Sequence, residues 1–234
     1  MPAVVWRLVM SKIKWLFFDV GSTLVDETMC YKQRLTNIAK SAGVEPEFVY
    51  EKARELYEQN RRGDLEISNM LHVDLPKWTI DAERLYPETE DVLKELHEKY
   101  KIGIIANQAL GTADRLKSFG ILEYIDLVIA SAEEGVAKPD LKIFEMALER
   151  AGVKPDEAMM IGDRIDNDIF PAKKLGMRTM WLRQGFGGMW KIQSDDELPN
   201  FIADSLPEVV SILDWDEKSK SLLETTMNTR GNKR

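Results

Sequence analysis

The chain has 234 residues, of which 44% are hydrophobic and 31% are charged, a composition typical of a globular protein with one sizeable core. Its formal net charge of −8 disfavours a nucleic-acid binder or a protein of anionic membrane surfaces, because both need a basic face. The single cysteine, Cys30, excludes an internal disulfide and a thiolate zinc cluster, and it favours a reducing, cytoplasmic compartment.

The first predicted element is a buried strand over residues 12–18. The preceding residues 1–11 are too short for a membrane span and lack a signal-peptide layout, so we expect an N-terminal extension outside the fold. The apolar run of the strand stops at Asp19, and Gly21 and two hydroxyl residues follow. This pattern predicts a strand whose carboxyl end presents one carboxylate to a loop built for close backbone approach.

A helical insert is predicted to follow this strand. Apolar residues recur at helical spacing over residues 28–42 and 46–60, and Gly43 and Pro46 mark the boundary between the two helices. Residues 65–78 are less regular and predict a short helix and a loop. We therefore expect a helical cap over residues 26–85, inserted into a core formed by residues 12–25 and 86–214.

Strands alternate with helices in the second half of the chain. The predicted strands cover residues 102–106, 126–130, 158–161, 179–182 and 201–203. Such nearly continuous apolar strands, separated by helices, are typical of a parallel sheet that is covered on both faces. The predicted fold class is α/β, a Rossmann-like doubly wound parallel sheet with an inserted α-helical cap.

The sequence also predicts two flexible segments. The glycine-rich segment 185–188 follows a strand with no clear helix behind it, and we interpret it as a flexible loop near the sheet edge. Residues 215–234 are polar and lack a sustained apolar face, which predicts a flexible tail.

The polar residues that end the predicted strands suggest a metal site. Asp19, Asn107 and Asp163 each follow a strand, and ligands of doubly wound sheets bind beyond the carboxyl ends of the strands. Asp168 lies in the same loop as Asp163, and Lys138 lies in a loop before a helix. Carboxylates from separate strands repel one another unless a cation joins them, and ligand oxygens without histidine or cysteine suit Mg²⁺. A Mg²⁺ beside a carboxylate and a lysine favours phosphoryl transfer.

Three segments, in this order, resemble the haloacid dehalogenase superfamily of Mg²⁺-dependent aspartyl-phosphate hydrolases. They are the Phe17–Leu24, Val136–Asp140 and Ile161–Asp168 segments. The resemblance covers about residues 12–213 and includes the helical type of cap after the first strand.

This resemblance implies a role for each residue of the predicted site. Asp19 would be the nucleophile that attacks phosphorus and forms an aspartyl-phosphate. Asp19, Asp163 and the backbone carbonyl of Gly21 would bind Mg²⁺. Asp168 would bind the ion directly or through water. Lys138 would neutralise the nucleophile and the phosphoryl oxygens.

Two positions depart from the pattern of the family's phosphatases. Those enzymes carry a second aspartate two residues after the nucleophile as general acid and base, and Gly21 stands there in this chain. The hydroxyl residue that precedes Asn107 in the family is Ala106 here. Asn107 and Ser22 remain the expected phosphate-binding side chains. Gly21→Asp is expected to raise phosphatase activity if the missing carboxyl is the main deficit.

The sequence leaves three functions open. The favoured one is a Mg²⁺-dependent phosphohydrolase that acts on a small phosphorylated metabolite. A second is carbon–halogen hydrolysis of the dehalogenase type, or phosphonate cleavage with a cap lysine; dehalogenases also lack the second aspartate but do not need the acidic magnesium loop. A third is a binding or regulatory protein that has kept the fold and the ion with weakened turnover.

Overall fold

Six parallel strands form the central sheet of this computed structural model, which describes residues 13–214. The predicted extension over residues 1–11 and the predicted tail over residues 215–234 lie outside the described residues. The strands, in chain order, are β1 (Trp15–Phe18), β2 (Val25–Asp26), β3 (Arg84–Leu85), β4 (Lys101–Ala106), β5 (Leu127–Ala130), β6 (Ala158–Gly162), β7 (Arg178–Leu182) and β8 (Phe201–Ala203).

The order of strands in the main sheet is β5-β4-β1-β6-β7-β8, and every neighbouring pair is parallel. The remaining strands, β2 and β3, form a separate antiparallel pair. This arrangement confirms the predicted doubly wound α/β fold. It also places β1 at the centre of the sheet, between β4 and β6.

Helices cover both faces of the sheet. They are α1 (Thr28–Ala42), α2 (Pro46–Tyr57), α3 (Gly63–Met70), α4 (Thr89–His97), α5 (Thr112–Ser118), α6 (Ser131–Glu134), α7 (Leu141–Ala151) and α8 (Phe170–Lys174), and residues 206–214 are also helical. In the described part of the chain, every helix is too short or too polar to cross a membrane.

The apolar run of β1 is buried on both sides of the sheet. Leu16 and Phe18 belong to the cluster that packs against α4 and the last described helix, whereas Phe17 faces the opposite cluster, against α7. Successive strand residues point to opposite faces, so a strand between two helical layers needs apolar residues at every position. This explains why β1 shows no alternation of polar and apolar residues.

The predicted cap has a small core of its own. Helices α1, α2 and α3 lie between β2 and β3, so the antiparallel pair stands at the two ends of the insert. The predicted boundaries at residues 26–85 stay a prediction. Apolar side chains of the three helices pack together with side chains from β7 and from the loops beyond β6 and β7: Leu35, Ile38, Ala39, Val49, Ala53, Leu56, Tyr57, Ile67, Ile165, Ile169, Trp181, Phe186 and Trp190. The cap is therefore packed directly against the loops at the carboxyl edge of the sheet.

The helix that follows β6 begins with an irregular turn. Residues Ile165–Ile169 form a π-helical turn, and α8 begins only at Phe170. Pro171 lies in the first turn of α8, where its missing N–H is tolerated because the first donors of a helix have no partner within the helix. Arg164 immediately precedes the π-helical turn, and its backbone N–H donates to Oδ2 of Asp168.

The close approach of α2 and α3 depends on Gly63. A Cβ atom built on Gly63 would collide with the backbone carbonyl oxygen of Ala53 and would lie 2.7 Å from the ring of Tyr57. We expect Gly63→Ala to lower the free energy of unfolding by about 1–3 kcal/mol, because the two helices must move apart to admit the methyl group. Urea denaturation measures this loss.

A matched control for this substitution is Ser41→Ala, which alters an exposed position on α1. We expect a change within about 0.5 kcal/mol there. Equal unfolding midpoints for Gly63→Ala and the unaltered chain would contradict the proposed role of this glycine.

Candidate active site

The carboxyl ends of three strands bring the predicted site residues to one edge of the sheet. Asp19 follows β1, Asn107 follows β4 and Asp163 follows β6. Carboxylate oxygens of Asp19, Asp163 and Asp168 all lie within 4.8 Å of one another. The structure thus brings together the acidic residues that the sequence singled out.

Lys138 joins two of these carboxylates. Its Nζ donates to Oδ1 of Asp19 at 2.7 Å and to Oδ1 of Asp168 at 2.6 Å, and only 2% of the lysine side chain is exposed. Burial alone would lower the pKa of Lys138, but the adjacent carboxylates of Asp168 and Asp19 outweigh it and raise the pKa above its usual value. The ammonium group therefore remains charged and fixes the two carboxylates to one another.

The backbone of Lys138 is held by Asn107. The side-chain Nδ2 of Asn107 donates to the carbonyl oxygen of Lys138 at 2.8 Å, and its Oδ1 accepts from the backbone N–H of Lys138 at 2.7 Å. Both polar groups of the amide are engaged in positioning the lysine. The expected contact between Asn107 and a phosphoryl group stays a prediction, as does that of Ser22.

The carboxylates of the loop after β6 are buried. Burial, followed by repulsion from Asp168 and Asp19, raises the pKa of Asp163 well above its usual range. Burial also raises the pKa of Asp168 to about 6, although the nearby Lys138 opposes this shift. Gly162 makes room for the Asp168 side chain, since a Cβ atom on this glycine would collide with Oδ2 of Asp168. Three carboxyl groups crowd one buried ammonium, and a divalent cation would offset the repulsion between their ionised forms.

The donor set fits Mg²⁺. All the converging groups are carboxylate oxygens, which are the ligands that Mg²⁺ prefers. Thr23 places its hydroxyl 3.5 Å from Oδ1 of Asp163, and the indole N–H of Trp181 donates to the carbonyl oxygen of Asp163 at 2.7 Å. These contacts orient the loop that carries Asp163, in the way that outer partners orient metal ligands.

A fourth carboxyl group lies beside Gly21. A Cβ atom built on Gly21 would lie 2.5 Å from Oε1 of Glu27, so the Glu27 carboxyl fills the space of a side chain at position 21. Ser22 donates its hydroxyl to Oε2 of Glu27 at 3.0 Å. Burial raises the pKa of Glu27 to about 8, and the hydrogen bond from Ser22 only partly opposes this. A side chain at position 21 would displace this carboxyl, so the structure does not support the gain expected from Gly21→Asp.

Sequence reasoning missed Glu27. The residue stands at the end of the polar loop that precedes α1, and its spacing from Asp19 matches no motif. The only signal available was indirect, since a missing carboxyl at position 21 invites a search for another one nearby.

Residues 185–188 lie outside the strands, as the sequence predicted, and they lie against the candidate site; their flexibility stays a prediction. A Cβ atom on Gly185 would lie 2.8 Å from Oγ of Ser22, and one on Gly187 would collide with the carboxylate of Asp163. The ring of Phe186 stacks on Tyr57 of the cap, with 4.5 Å between ring centroids. The loop follows β7, which is an inner strand beside β6, so it emerges against the site.

Two adjoining cavities open at this edge. The smaller has a volume of about 140 Å³ and is lined by residues that include Asp19, Glu27, Lys138 and Asp163. The larger has a volume of about 510 Å³, with aromatic and apolar walls from the cap and the loop after β7. Ser22 and Tyr31 line both cavities. The arrangement offers a charged compartment for a reacting group and a larger space for the rest of a ligand.

The buried ion pairs of Lys138 predict a large effect on stability. Lys138→Met would leave Asp19 and Asp168 without their buried partner, and we expect the free energy of unfolding to fall by about 3–5 kcal/mol at neutral pH. Lys14→Met removes an exposed lysine from its pair with Glu157 and should cost less than about 1 kcal/mol. Denaturant unfolding of both variants makes the comparison, and equal losses would contradict the role given to Lys138.

Comparisons with known proteins agree with this geometry. The chain is 29% identical to the glyceraldehyde 3-phosphate phosphatase of Pyrococcus furiosus, over 90% of this chain and 97% of that protein. It is 39% identical to the protein of the same name from Methanocaldococcus jannaschii, over 56% of this chain and 57% of that protein. That second match therefore spans little more than half of either protein.

Solved structures show the same fold. A HAD phosphatase from Thermococcus onnurineus superposes with a TM-score of 0.58 at 25% identity, over 86% of this chain and 98% of that one. The putative HAD-hydrolase YfnB of Bacillus subtilis gives a TM-score of 0.64 at 19% identity, over 86% and 99% of the two chains. The family model for haloacid dehalogenase-like hydrolases matches residues 13–176, which include every carboxylate and the lysine of the site. By fold, by the strand ends that carry its acidic residues and by this match, the chain belongs to the haloacid dehalogenase-like hydrolase family.

Proposed function

We propose that this protein is a Mg²⁺-dependent phosphohydrolase that cleaves a small phosphorylated metabolite through an aspartyl-phosphate on Asp19. One observation carries the proposal: buried Lys138 bonds both Asp19 and Asp168, with Asp163 in the same cluster. A nucleophilic carboxylate, a fixed ammonium and an oxygen cage for a cation are the parts that phosphoryl transfer requires.

The cation would be held by Asp19, Asp163, Asp168 and the backbone carbonyl of Gly21. When bound, Mg²⁺ supplies positive charge that stabilises the phosphoryl oxygens in the transition state. The composition of the cluster supports this part of the proposal, because three carboxyl groups, two of them buried, lie together with a single lysine.

The protein's own groups would carry the first step. A carboxylate oxygen of Asp19 attacks phosphorus, and the bond from phosphorus to the leaving oxygen breaks. Lys138 holds Asp19 by a hydrogen bond and offers its charge to the equatorial oxygens as they approach. Ser22 and Asn107 line the same cavity and are the proposed partners of the remaining phosphoryl oxygens.

The substrate is proposed to be small. The charged cavity of about 140 Å³ suits a phosphoryl group, and the adjoining cavity of about 510 Å³ suits the organic part. Glyceraldehyde 3-phosphate is the first compound to test, because relatives that match this chain carry the name of its phosphatase. The cytoplasmic location stays a prediction from the cysteine content.

Phosphate release tests the proposal. We expect the chain to release phosphate from glyceraldehyde 3-phosphate or 4-nitrophenyl phosphate with Mg²⁺, and to lose this activity in EDTA. Asp19→Asn should lower kcat by at least about 1,000-fold, because the nucleophile is lost. The matched control is Asp114→Asn, the same chemical change at an exposed position of α5, which should leave kcat unchanged.

Equal rates for Asp19→Asn and the unaltered chain would overturn the proposal. Halide release from a 2-haloacid without Mg²⁺ would instead support carbon–halogen hydrolysis. Absence of turnover over a broad panel of phosphate esters would favour a binding or regulatory role.

Binding of the metal can be measured without turnover. Mg²⁺ at about 100 times its dissociation constant should raise the free energy of unfolding by about 2.7 kcal/mol and raise Tm accordingly. Asp163→Asn should abolish this shift. Asp166→Asn, in the same loop but paired with Arg164 outside the cluster, should retain it. A shift that persists unchanged in Asp163→Asn would contradict the assigned metal site.

A further inference from the structure

The space beside Gly21 is filled by a carboxyl group from elsewhere in the loop. Oε1, Oε2 and the carboxyl carbon of Glu27 lie 2.5, 2.8 and 2.8 Å from the point where a Cβ atom on Gly21 would stand. Position 21 is two residues beyond Asp19 and borders the same cavity, which Glu27 also lines. The carboxyl of Glu27 therefore reaches the place where a side chain at position 21 would begin.

Local contacts hold Glu27 in this position. Ser22 has a left-handed backbone, with a φ of 54°, and its hydroxyl donates to Oε2 of Glu27. Glu27 immediately precedes α1, so the start of that helix fixes its backbone. Among residues 13–214, the hydrogen bond to Glu27 goes to Oε2, which leaves Oε1 available to a ligand in the cavity.

Other side chains of this cavity are engaged elsewhere. Tyr57 donates its hydroxyl to Oδ1 of Asp64 at 2.9 Å, and Lys138 donates to Asp19 and Asp168. Arg164 is paired with the carboxylate of Asp166. The carboxyl groups that line the cavity are Asp19, Asp163 and Glu27. The first two belong to the nucleophile and the proposed metal cluster, so Glu27 remains for proton transfer.

We propose that Glu27 is the general acid and base of this site, taking the place of the carboxyl that Gly21 lacks. This inference rests on the proposed phosphohydrolase function and names the group that would move the protons. Glu27 would approach the leaving oxygen from the side of the cavity that Gly21 borders.

The reaction proceeds in two steps. In the first, an oxygen of Asp19 forms a bond to phosphorus, the bond from phosphorus to the leaving oxygen breaks, and the proton of the Glu27 carboxyl passes to that oxygen. In the second, the Glu27 carboxylate takes a proton from water as the water oxygen bonds to phosphorus. The aspartyl-phosphate bond then breaks, phosphate leaves, and Asp19 and Glu27 return to their starting forms.

The dependence of the rate on the leaving group tests this role. A general acid matters most when the leaving oxygen is a poor leaving group. We therefore compare Glu27→Gln with the unaltered chain on 4-nitrophenyl phosphate and phenyl phosphate, both with Mg²⁺. The loss of kcat/KM should be small for the nitrophenyl ester and should reach about 10²- to 10⁴-fold for the phenyl ester.

A second readout follows from the second step. With 4-nitrophenyl phosphate, Glu27→Gln should release about one nitrophenolate per protein molecule in a burst and then turn over slowly. The slow phase reflects accumulation of the aspartyl-phosphate, because the base that activates water is missing; mass spectrometry of the quenched protein detects the phosphorylated chain.

Two further variants control for structural damage. Glu83→Gln removes another buried carboxylate near the site, one bonded to the Trp78 indole, and it should leave the leaving-group dependence unchanged. The double variant Gly21→Asp, Glu27→Ala returns a carboxyl to position 21 and should hydrolyse phenyl phosphate at least tenfold faster than Glu27→Ala.

The outcomes separate this inference from the proposed function. Equal losses on both esters for Glu27→Gln, without a burst, would overturn the role of Glu27, as would failure of the double variant to exceed Glu27→Ala. In those cases inactivity of Asp19→Asn would still support the phosphohydrolase. Activity in Asp19→Asn equal to that of the unaltered chain would overturn both.

Discussion

The buried ammonium of Lys138 is the constraint on which the rest of the site depends. Only 2% of the Lys138 side chain is exposed, and a buried charge is tolerated only when charged partners surround it. Asp19 and Asp168 are these partners. Those partners come from the loops after β1 and β6, and Asn107, after β4, holds the lysine backbone. Through its ammonium and its backbone, Lys138 thus ties its own loop to the loops after β1, β4 and β6, which gives the site the fixed geometry that electrostatic catalysis needs.

The cap packs against this edge through apolar side chains. Side chains of α1 to α3 share a cluster with residues from the loops after β6 and β7. Phe186 is central to this contact, since its ring stacks on Tyr57 and meets Tyr31 edge-on. Phe186 and Tyr31 also form walls of the larger cavity, so the packing that positions the cap also shapes the space proposed for the organic part of a substrate.

Much of the fold was predictable because the sheet is buried on both faces. Its strands appear as continuous apolar runs, and glycines such as Gly43 and Gly152 end the helices between them. Two features were not predictable. One is the π-helical turn before α8, where Asp168 accepts from the backbone N–H of Arg164. The other is the place of residues 185–188 against the site, which depends on the position of β7 within the sheet, and spacing along the chain does not specify strand order.

The acidic site was also predictable only in part. The sequence by itself determined that Asp19, Asp163, Asp168 and Lys138 follow strands or lie in loops, in the order typical of one family. It also determined that they meet, because a parallel sheet brings the carboxyl ends of its strands to one edge. It also showed that Gly21 lacks the expected carboxyl. Only the tertiary structure decided what occupies that space, since Glu27 reaches it by a turn of the backbone through Ser22 that no motif records. Side-chain reach across a turn depends on backbone angles and neighbours, and these exist only once the chain has folded.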